Sequence, residues 1–128
     1  MKKPFAYAAI RLVPRVEREE FVNVGVVLYC QMFDFLGAST HLDPARVQAL
    51  HPDVDVDAVR TALEAWTRVC GGDATGGPAA RETRLGERFR WLTAPRSTII
   101  QPGPVHTGMT ADPAGELDRL MEALVRLG

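Results

Sequence analysis

The clearest hydrophobic pattern in the chain lies between Phe21 and Cys30, where the sequence reads FVNVGVVLYC. With a period of two, one face of this stretch is entirely apolar and carries Val22, Val24, Val26, Leu28 and Cys30. The other face is mixed, because Asn23 and Gly25 interrupt it. β-branched residues at this density favour a strand. We therefore predict a strand whose smooth face packs in a core and whose mixed face is open near Asn23 and Gly25.

The stretches on either side predict two more strands. Phe5–Val13 alternates weakly, and Pro14 ends it because proline cannot donate to a strand ladder. The charged connection over residues 15–20 turns the chain back, which predicts a hairpin. After a turn at 31–32, Phe33–Leu42 is predicted as the third strand. Such a meander needs helices to cover its apolar face.

Helix signals follow the three strands. Asp43-Pro44 is an N-cap followed by proline at the first helical position, with the helix reaching residue 50. Asp53 or Asp55 is predicted to cap the next helix, whose apolar positions from 56 to 69 are one-sided before Gly71-Gly72 stops it. A small-residue loop over 71–80 follows.

The last third of the chain alternates between helix and strand signals. A helical pattern resumes at Arg81 and ends at Pro95, and a final helix opens at 112–113 with an inner face that reaches Leu127. Between them, Ser97–Gln101 is predicted as a fourth strand. Prolines at 102 and 104 then leave Val105–Thr107 extended at an edge. We predict a single α+β domain, with a mostly antiparallel sheet of four or five strands whose apolar face is covered by the 56–69 and 117–127 helices.

Composition indicates the class of protein and the number of domains, but it excludes few functions. A chain of 128 residues with 46% hydrophobic and 24% charged residues is typical of one globular domain, and a net charge of −1 gives no general attraction to nucleic acid or membranes. The two cysteines indicate no disulfide framework and are interpreted as reduced packing residues. The three histidines lack ligand spacing, so we predict no metal and no cofactor. The apolar stretch near the N-terminus is too short for a signal peptide, and no apolar run is long enough to span a membrane. These two observations predict a cytoplasmic protein.

Basic charge is concentrated between Arg81 and Arg96, where five arginines face two acids. Arg88 and Arg96, with the hydroxyls of Ser97 and Thr98, would suit an oxyanion such as phosphate or carboxylate, and Trp91 could stack on a base. The alternative is a solvated helix face whose tryptophan belongs partly to the core.

The segment QPGPVHTG over residues 101–108 presents His106 and Thr107 between rigid prolines. His106 could act as a base or contact a phosphate, or it could simply hydrogen-bond a backbone carbonyl. If this segment folds beside Asn23, one shallow site is predicted from Asn23, Arg88, Trp91, Arg96, Ser97, Thr98, His106 and Thr107.

Three segments together resemble the bacterial family of unknown function DUF3037. They are Tyr7–Pro14 (YAAIRLVP), Glu20–Leu28 (EFVNVGVVL) and Arg88–Gly108 (RFRWLTAPRSTIIQPGPVHTG). The resemblance implies a small bacterial protein encoded beside HipA-like serine/threonine kinases, with a partner or antitoxin-like accessory role. It assigns no catalytic residue. The residues of this chain that match the family motif are Asn23, Gly25, Arg88, Arg90, Trp91, Arg96, Ser97, Thr98, Gln101, His106 and Thr107.

Three functional hypotheses follow. The first is a non-enzymatic binding or accessory module that engages a protein partner such as a HipA-like kinase. The second is a protein that binds a phosphate-bearing ligand, a nucleotide or nucleic acid, with hydrolysis as an extension. The third is a scaffold in which Arg96 and His106 hydrogen-bond buried carbonyls.

Overall fold

The computed structural model describes residues 1–72 and 77–126 of the chain. Within them one antiparallel sheet of five strands is combined with four α-helices, which confirms the predicted single α+β domain. The elements in chain order are β1 (Lys3–Leu12), β2 (Val22–Cys30), β3 (Phe35–Thr40), α1 (Pro44–Leu50), α2 (Val56–Cys70), α3 (Leu85–Thr93), β4 (Ile100–Pro102), β5 (His106–Thr110) and α4 (Pro113–Leu124). Part of the predicted 71–80 loop, at 73–76, and the predicted inner position Leu127 lie outside the described residues.

The strand order places β1 at the centre of the sheet. β2 lies between β1 and β3, and both β4 and β5 pair with the other edge of β1. β4 pairs with β1 from Ile10 to Leu12, and β5 pairs with it from Lys3 to Tyr7. Between these two ladders the Gly103 N–H donates to the Ala9 carbonyl at 2.8 Å. The edge strand is therefore interrupted at the prolines, as predicted, but β5 continues to residue 110 and is a longer strand than the sequence indicated.

Helix starts agree with the caps read from the sequence. Asp43, Asp55 and Asp112 accept hydrogen bonds from the amides of residues 45, 58 and 115 at 3.0, 3.0 and 3.2 Å.

The predicted start of the third helix at Arg81 is wrong, because 78–81 form a 3₁₀ turn and α3 begins at residue 85. Glu82 explains the delay, since its side chain accepts from the Arg84 amide at 3.0 Å and satisfies an N–H that a continuing helix would bond to a carbonyl.

A β-bulge in β2 overturns the predicted smooth face. Ile10 pairs with Gly25 while Arg11 pairs with Asn23, so Val24 is an extra residue in the ladder. The alternation of side chains shifts at this point. Val24 packs in the layer beneath α2 and α3, whereas the predicted face-mates Val26, Leu28 and Cys30 pack beneath α4.

The sheet is covered on both sides by separate apolar layers. We call the two faces the α2/α3 side, whose core includes Leu63, Trp66 and Leu92, and the α4 side, whose core includes Leu120 and Met121. The expectation that the two helices share one face is therefore wrong. β2 is buried on both faces, and its mixed face is not open near Gly25, because a Cβ there would lie 2.6 Å from the Ser39 carbonyl oxygen.

Two further predictions concern the role of the cysteines and the presence of membrane-spanning segments. Cys30 and Cys70 are free buried thiols in opposite layers, which confirms their role as packing residues. In the described part of the chain, no helix has the length and apolar character needed to cross a bilayer.

Candidate functional site

The two sheet faces separate the residues that the sequence placed in one site. Arg88, Trp91 and Arg96 lie on the α2/α3 side, where Arg88 bonds the last residue of α2 and Arg96 contacts Trp66. Asn23 and His106 lie on the α4 side, in one pocket with Leu124. The predicted composite site is therefore not formed, because each group belongs to a different layer of the fold.

Arg88 is a structural residue in this arrangement. Its two terminal nitrogens donate to the carbonyls of Glu82 at 2.9 Å and Cys70 at 3.3 Å. Gly72, with φ of +73°, packs against the guanidinium, and a Cβ at that position would lie 3.0 Å from Nη1. The guanidinium thus ties the end of α2 to the segment before α3.

Two of the five arginines in the arginine-rich segment 81–96 form ion pairs within it. Arg84 lies 3.2 Å from Glu82, and Arg90 lies 3.1 Å from Glu87. The Arg84 backbone amide and guanidinium both hydrogen-bond the Glu82 carboxylate, which lowers the pKa of that carboxyl. These exposed pairs contribute little stability, and because the segment has five arginines and only two acids, the local excess of positive charge that the sequence indicates remains.

Arg96 completes an aromatic cluster on the same side. Its guanidinium carbon lies 4.5 Å from the Trp91 ring centroid and 5.8 Å from that of Trp66. The guanidinium also donates to the Trp91 backbone carbonyl. Partial burial lowers the pKa of Arg96. The arginine is thereby held as part of an aromatic surface.

This surface is an open groove, which we call the tryptophan groove. It is about 580 Å³ and is lined by Ala62, Ala65, Trp66, Trp91, Arg96, Thr98, Ile99 and Ile100. Trp91 is 45% exposed and Ile99 is 39% exposed. Trp91 also lines a second depression of about 700 Å³. Trp91 therefore borders two concave surfaces.

The α4 side carries a smaller and more enclosed cavity of about 150 Å³, which we call the arginine pocket. It is lined by Tyr7, Ala9, Arg11, Asn23, Pro104, His106 and Leu124. Asn23 Nδ2 donates to the Leu124 carbonyl at 3.1 Å, so the amide joins β2 to the end of α4. The His106 ring lies 5.4 Å from the Tyr7 ring, centroid to centroid. Asn23 and His106 do meet here, as predicted, but without Arg96.

Arg11 is the residue that the sequence analysis missed. Its guanidinium lies 4.0 Å from the Phe21 ring centroid, and its Nε is buried without a hydrogen-bond partner. Gly103 packs beside it, because a Cβ there would lie 3.0 Å from Nε. The available signal was a single charge inside the apolar run AAIRLV.

Of the other predicted site residues, Ser97 and Thr107 are exposed, and Thr98 hydrogen-bonds within its own segment. Ser97 lies exposed in a depression of about 320 Å³ that it shares with Arg11 and Gln101. Thr98 Oγ1 donates to the Ile100 carbonyl at 2.6 Å, and Thr107 is exposed in β5. Over residues 1–72 and 77–126, no group of three or more histidines, cysteines or acids is placed to hold a metal ion.

Comparison with known families agrees with the motifs in the sequence. The model of the family described as protein of unknown function (DUF3037) matches residues 7–125, nearly the whole chain. The chain belongs to the DUF3037 family. No curated protein and no solved structure matches it. Both surfaces described above, the tryptophan groove and the arginine pocket, lie within the part of the chain that matches the DUF3037 family.

Proposed function

We propose that this DUF3037 chain is a non-enzymatic accessory module of the bacterial cytoplasm that binds a protein partner through the tryptophan groove. The observation that carries the proposal is the combination of exposed Trp91 and Ile99 with Arg96, whose guanidinium lies over Trp91 and within 5.8 Å of the Trp66 ring centroid. Tryptophan and arginine are the residue types most enriched among those that carry binding energy at protein interfaces.

The groove is also shaped for an apolar side chain of a partner. Ala62 and Ala65 of α2 give it a low wall, so a partner element can approach the helix closely. Covering a large exposed side chain such as Trp91 contributes roughly 1.5–3 kcal/mol of hydrophobic free energy. Arg96 donates to the Trp91 carbonyl, and its remaining N–H groups can donate to an acceptor on the partner.

The partner to test first is the HipA-like kinase that the family resemblance implies. The two proteins would be co-expressed and purified, and their affinity measured by titration calorimetry. Trp91→Ala should weaken the complex at least about tenfold, the effect of removing a central interface aromatic. Met32→Ala is the matched control, because Met32 is 62% exposed on another part of the surface and should leave affinity unchanged. Absence of any complex with the wild-type chain would remove the support for this partner.

The alternative function, recognition of a nucleotide or nucleic acid with hydrolysis as an extension, is less well supported by the geometry. It needs Arg88, Arg96 and His106 around one phosphate, whereas Arg88 is engaged by two carbonyls and His106 lies on the other side of the sheet. A thermal-shift screen with nucleotides and oligonucleotides should show no stabilisation that Arg96→Ala removes. Such a stabilisation would restore the phosphate hypothesis.

A further inference from the structure

Two side chains that line the arginine pocket each carry a buried polar atom without a hydrogen-bond partner in the protein, Arg11 Nε and Asn23 Oδ1. They belong to directly paired residues of β1 and β2, and both side chains line the same small cavity. Buried polar atoms are almost always paired, so two adjacent exceptions in one cavity need a physical explanation. One is a charged donor and the other is a neutral acceptor.

These two atoms together define the chemistry that would satisfy them. A guanidinium donor is complemented by a carboxylate or phosphate oxygen, and an amide oxygen is complemented by an O–H or N–H group. We propose that the arginine pocket binds a small organic carboxylate that carries a hydroxyl or amino group next to its carboxylate. The carboxylate is held by Arg11, and the neighbouring donor group bonds Asn23 Oδ1.

The size and charge of the pocket favour a carboxylate over a phosphate. Its volume of about 150 Å³ corresponds to roughly five water molecules in the liquid, which limits the ligand to a few non-hydrogen atoms. Among the residues that line it, Arg11 carries the only permanent positive charge, and no carboxylate in the described part of the chain pairs with it. One guanidinium matches a monoanion, whereas a phosphate dianion would need further donors.

The pocket is also held ready for a ligand. Arg11 is fixed by the Phe21 ring on one side and by Gly103 at its edge, and Gly103 is itself anchored to the Ala9 carbonyl. The packed rings of Tyr7 and His106 form a further part of the wall. Since these groups are already ordered by the sheet, binding costs little conformational entropy.

Nuclear magnetic resonance of the ¹⁵N-labelled full chain tests the proposal directly. Glycolate at millimolar concentration should shift the Arg11 Nε–Hε and Asn23 side-chain amide resonances in a saturable way. Glycolamide, which has the same shape without the charge, should not. Propionate, which lacks the hydroxyl, should bind more weakly than glycolate. Glycine tests whether an amino group can replace the hydroxyl.

Variants localise the effect. Arg11→Met should weaken glycolate binding at least about tenfold, the usual order for losing a charge-assisted hydrogen bond. Arg60→Met is the matched control, because Arg60 is an exposed arginine paired with Asp57 at 3.1 Å, and it should bind glycolate like the wild type. The wild-type comparison of glycolate with glycolamide needs no variant, so it decides the question even if Arg11→Met fails to fold.

Three results would overturn the proposal. Equal shifts from glycolate and glycolamide would mean that the charge of Arg11 plays no part. Inorganic phosphate shifting the Arg11 resonance as strongly as glycolate would make the pocket a general anion site. No response to any probe would mean that the pocket does not bind a small carboxylate. Each of these results leaves the tryptophan groove unaffected, because that groove lies on the opposite face of the sheet.

Discussion

The two faces of the sheet each carry an arginine stacked on an aromatic ring, yet the two arginines differ in how completely they are satisfied. On the α2/α3 side, Arg96 lies over Trp91 and donates to its backbone carbonyl. On the α4 side, Arg11 lies over Phe21, and its buried Nε donates to no atom of the protein. A satisfied arginine adds rigidity to an apolar surface, which suits a macromolecular partner. An arginine with an unpaired buried Nε beside a cavity suits a small ligand, whereas Arg88, whose Nε is also unpaired, already donates both terminal nitrogens to carbonyls. The same residue type thus has different roles according to its remaining hydrogen bonds.

The shapes of the two sites agree with this difference. The tryptophan groove is open and about 580 Å³, with large apolar side chains at its surface. The arginine pocket is about 150 Å³ and has two orphaned polar atoms. The following predictions test whether the two faces are as independent as this comparison requires.

The largest effect is expected from removing one core residue in each layer. Leu92 on the α2/α3 side and Met121 on the α4 side are both fully buried. Each substitution by alanine should lower the free energy of unfolding by about 2–5 kcal/mol, measured by urea denaturation. Met32→Ala, on the surface, should cost less than about 0.5 kcal/mol. A cost for Met121→Ala as small as that of Met32→Ala would mean that α4 does not close a second core.

A smaller effect is expected at the bulge that divides the faces. A Cβ at Gly25 would lie 2.6 Å from the Ser39 carbonyl oxygen and 3.0 Å from Ile10 Cδ1. Gly25→Ala should therefore destabilise the protein by about 1–3 kcal/mol through overpacking. At Gly71 a Cβ would meet nothing closer than 3.5 Å, so Gly71→Ala should be close to neutral in the same unfolding experiment. Equal stability of the two variants would contradict the close approach of β3 to the bulge.

The two stacked arginines should respond differently to the same substitution. Arg96→Met removes a satisfied hydrogen bond and a cation–π contact, and should cost about 1 kcal/mol. Arg11→Met removes a buried donor without a partner, and the relief of that unpaired group should offset the loss of the cation–π contact with Phe21, so the free energy of unfolding should be unchanged or higher. Thermal and urea unfolding of both variants in a buffer without organic anions gives the comparison. An equal loss in both would show that Arg11 is a structural arginine like Arg96.

The smallest effect is expected on the reactivity of one buried thiol, that of Cys70. Burial raises the pKa of Cys70 from 9.0 to about 11, against the opposing effect of nearby Arg88. Because only the thiolate reacts, iodoacetamide labelling of a Cys30→Ala variant should stay slow at pH 9 and accelerate as the pH approaches 11. Rapid labelling at pH 8 would show that the α2/α3 layer opens near Cys70.

The starts of three of the four α-helices depended on local chemistry and were predictable. Asp43, Asp55 and Asp112 cap their helices because a short carboxylate can reach an amide two or three residues ahead, whatever the rest of the chain does. The delayed start of α3 was missed, since it depends on Glu82 bonding the Arg84 amide, one local choice among several that the sequence permits.

What the sequence alone determined was the set of elements, the fold class and the family motifs. Only the tertiary structure decided which face each residue joins. The extra residue at Val24 reverses the alternation of β2 because strand register is set by pairing with β1, which the residue pattern of β2 alone does not show. That shift places Asn23 beside Arg11 and away from Arg96. Whether a polar atom is satisfied depends on such three-dimensional neighbours, so the unpaired state of Arg11 could be seen only once the sheet was assembled.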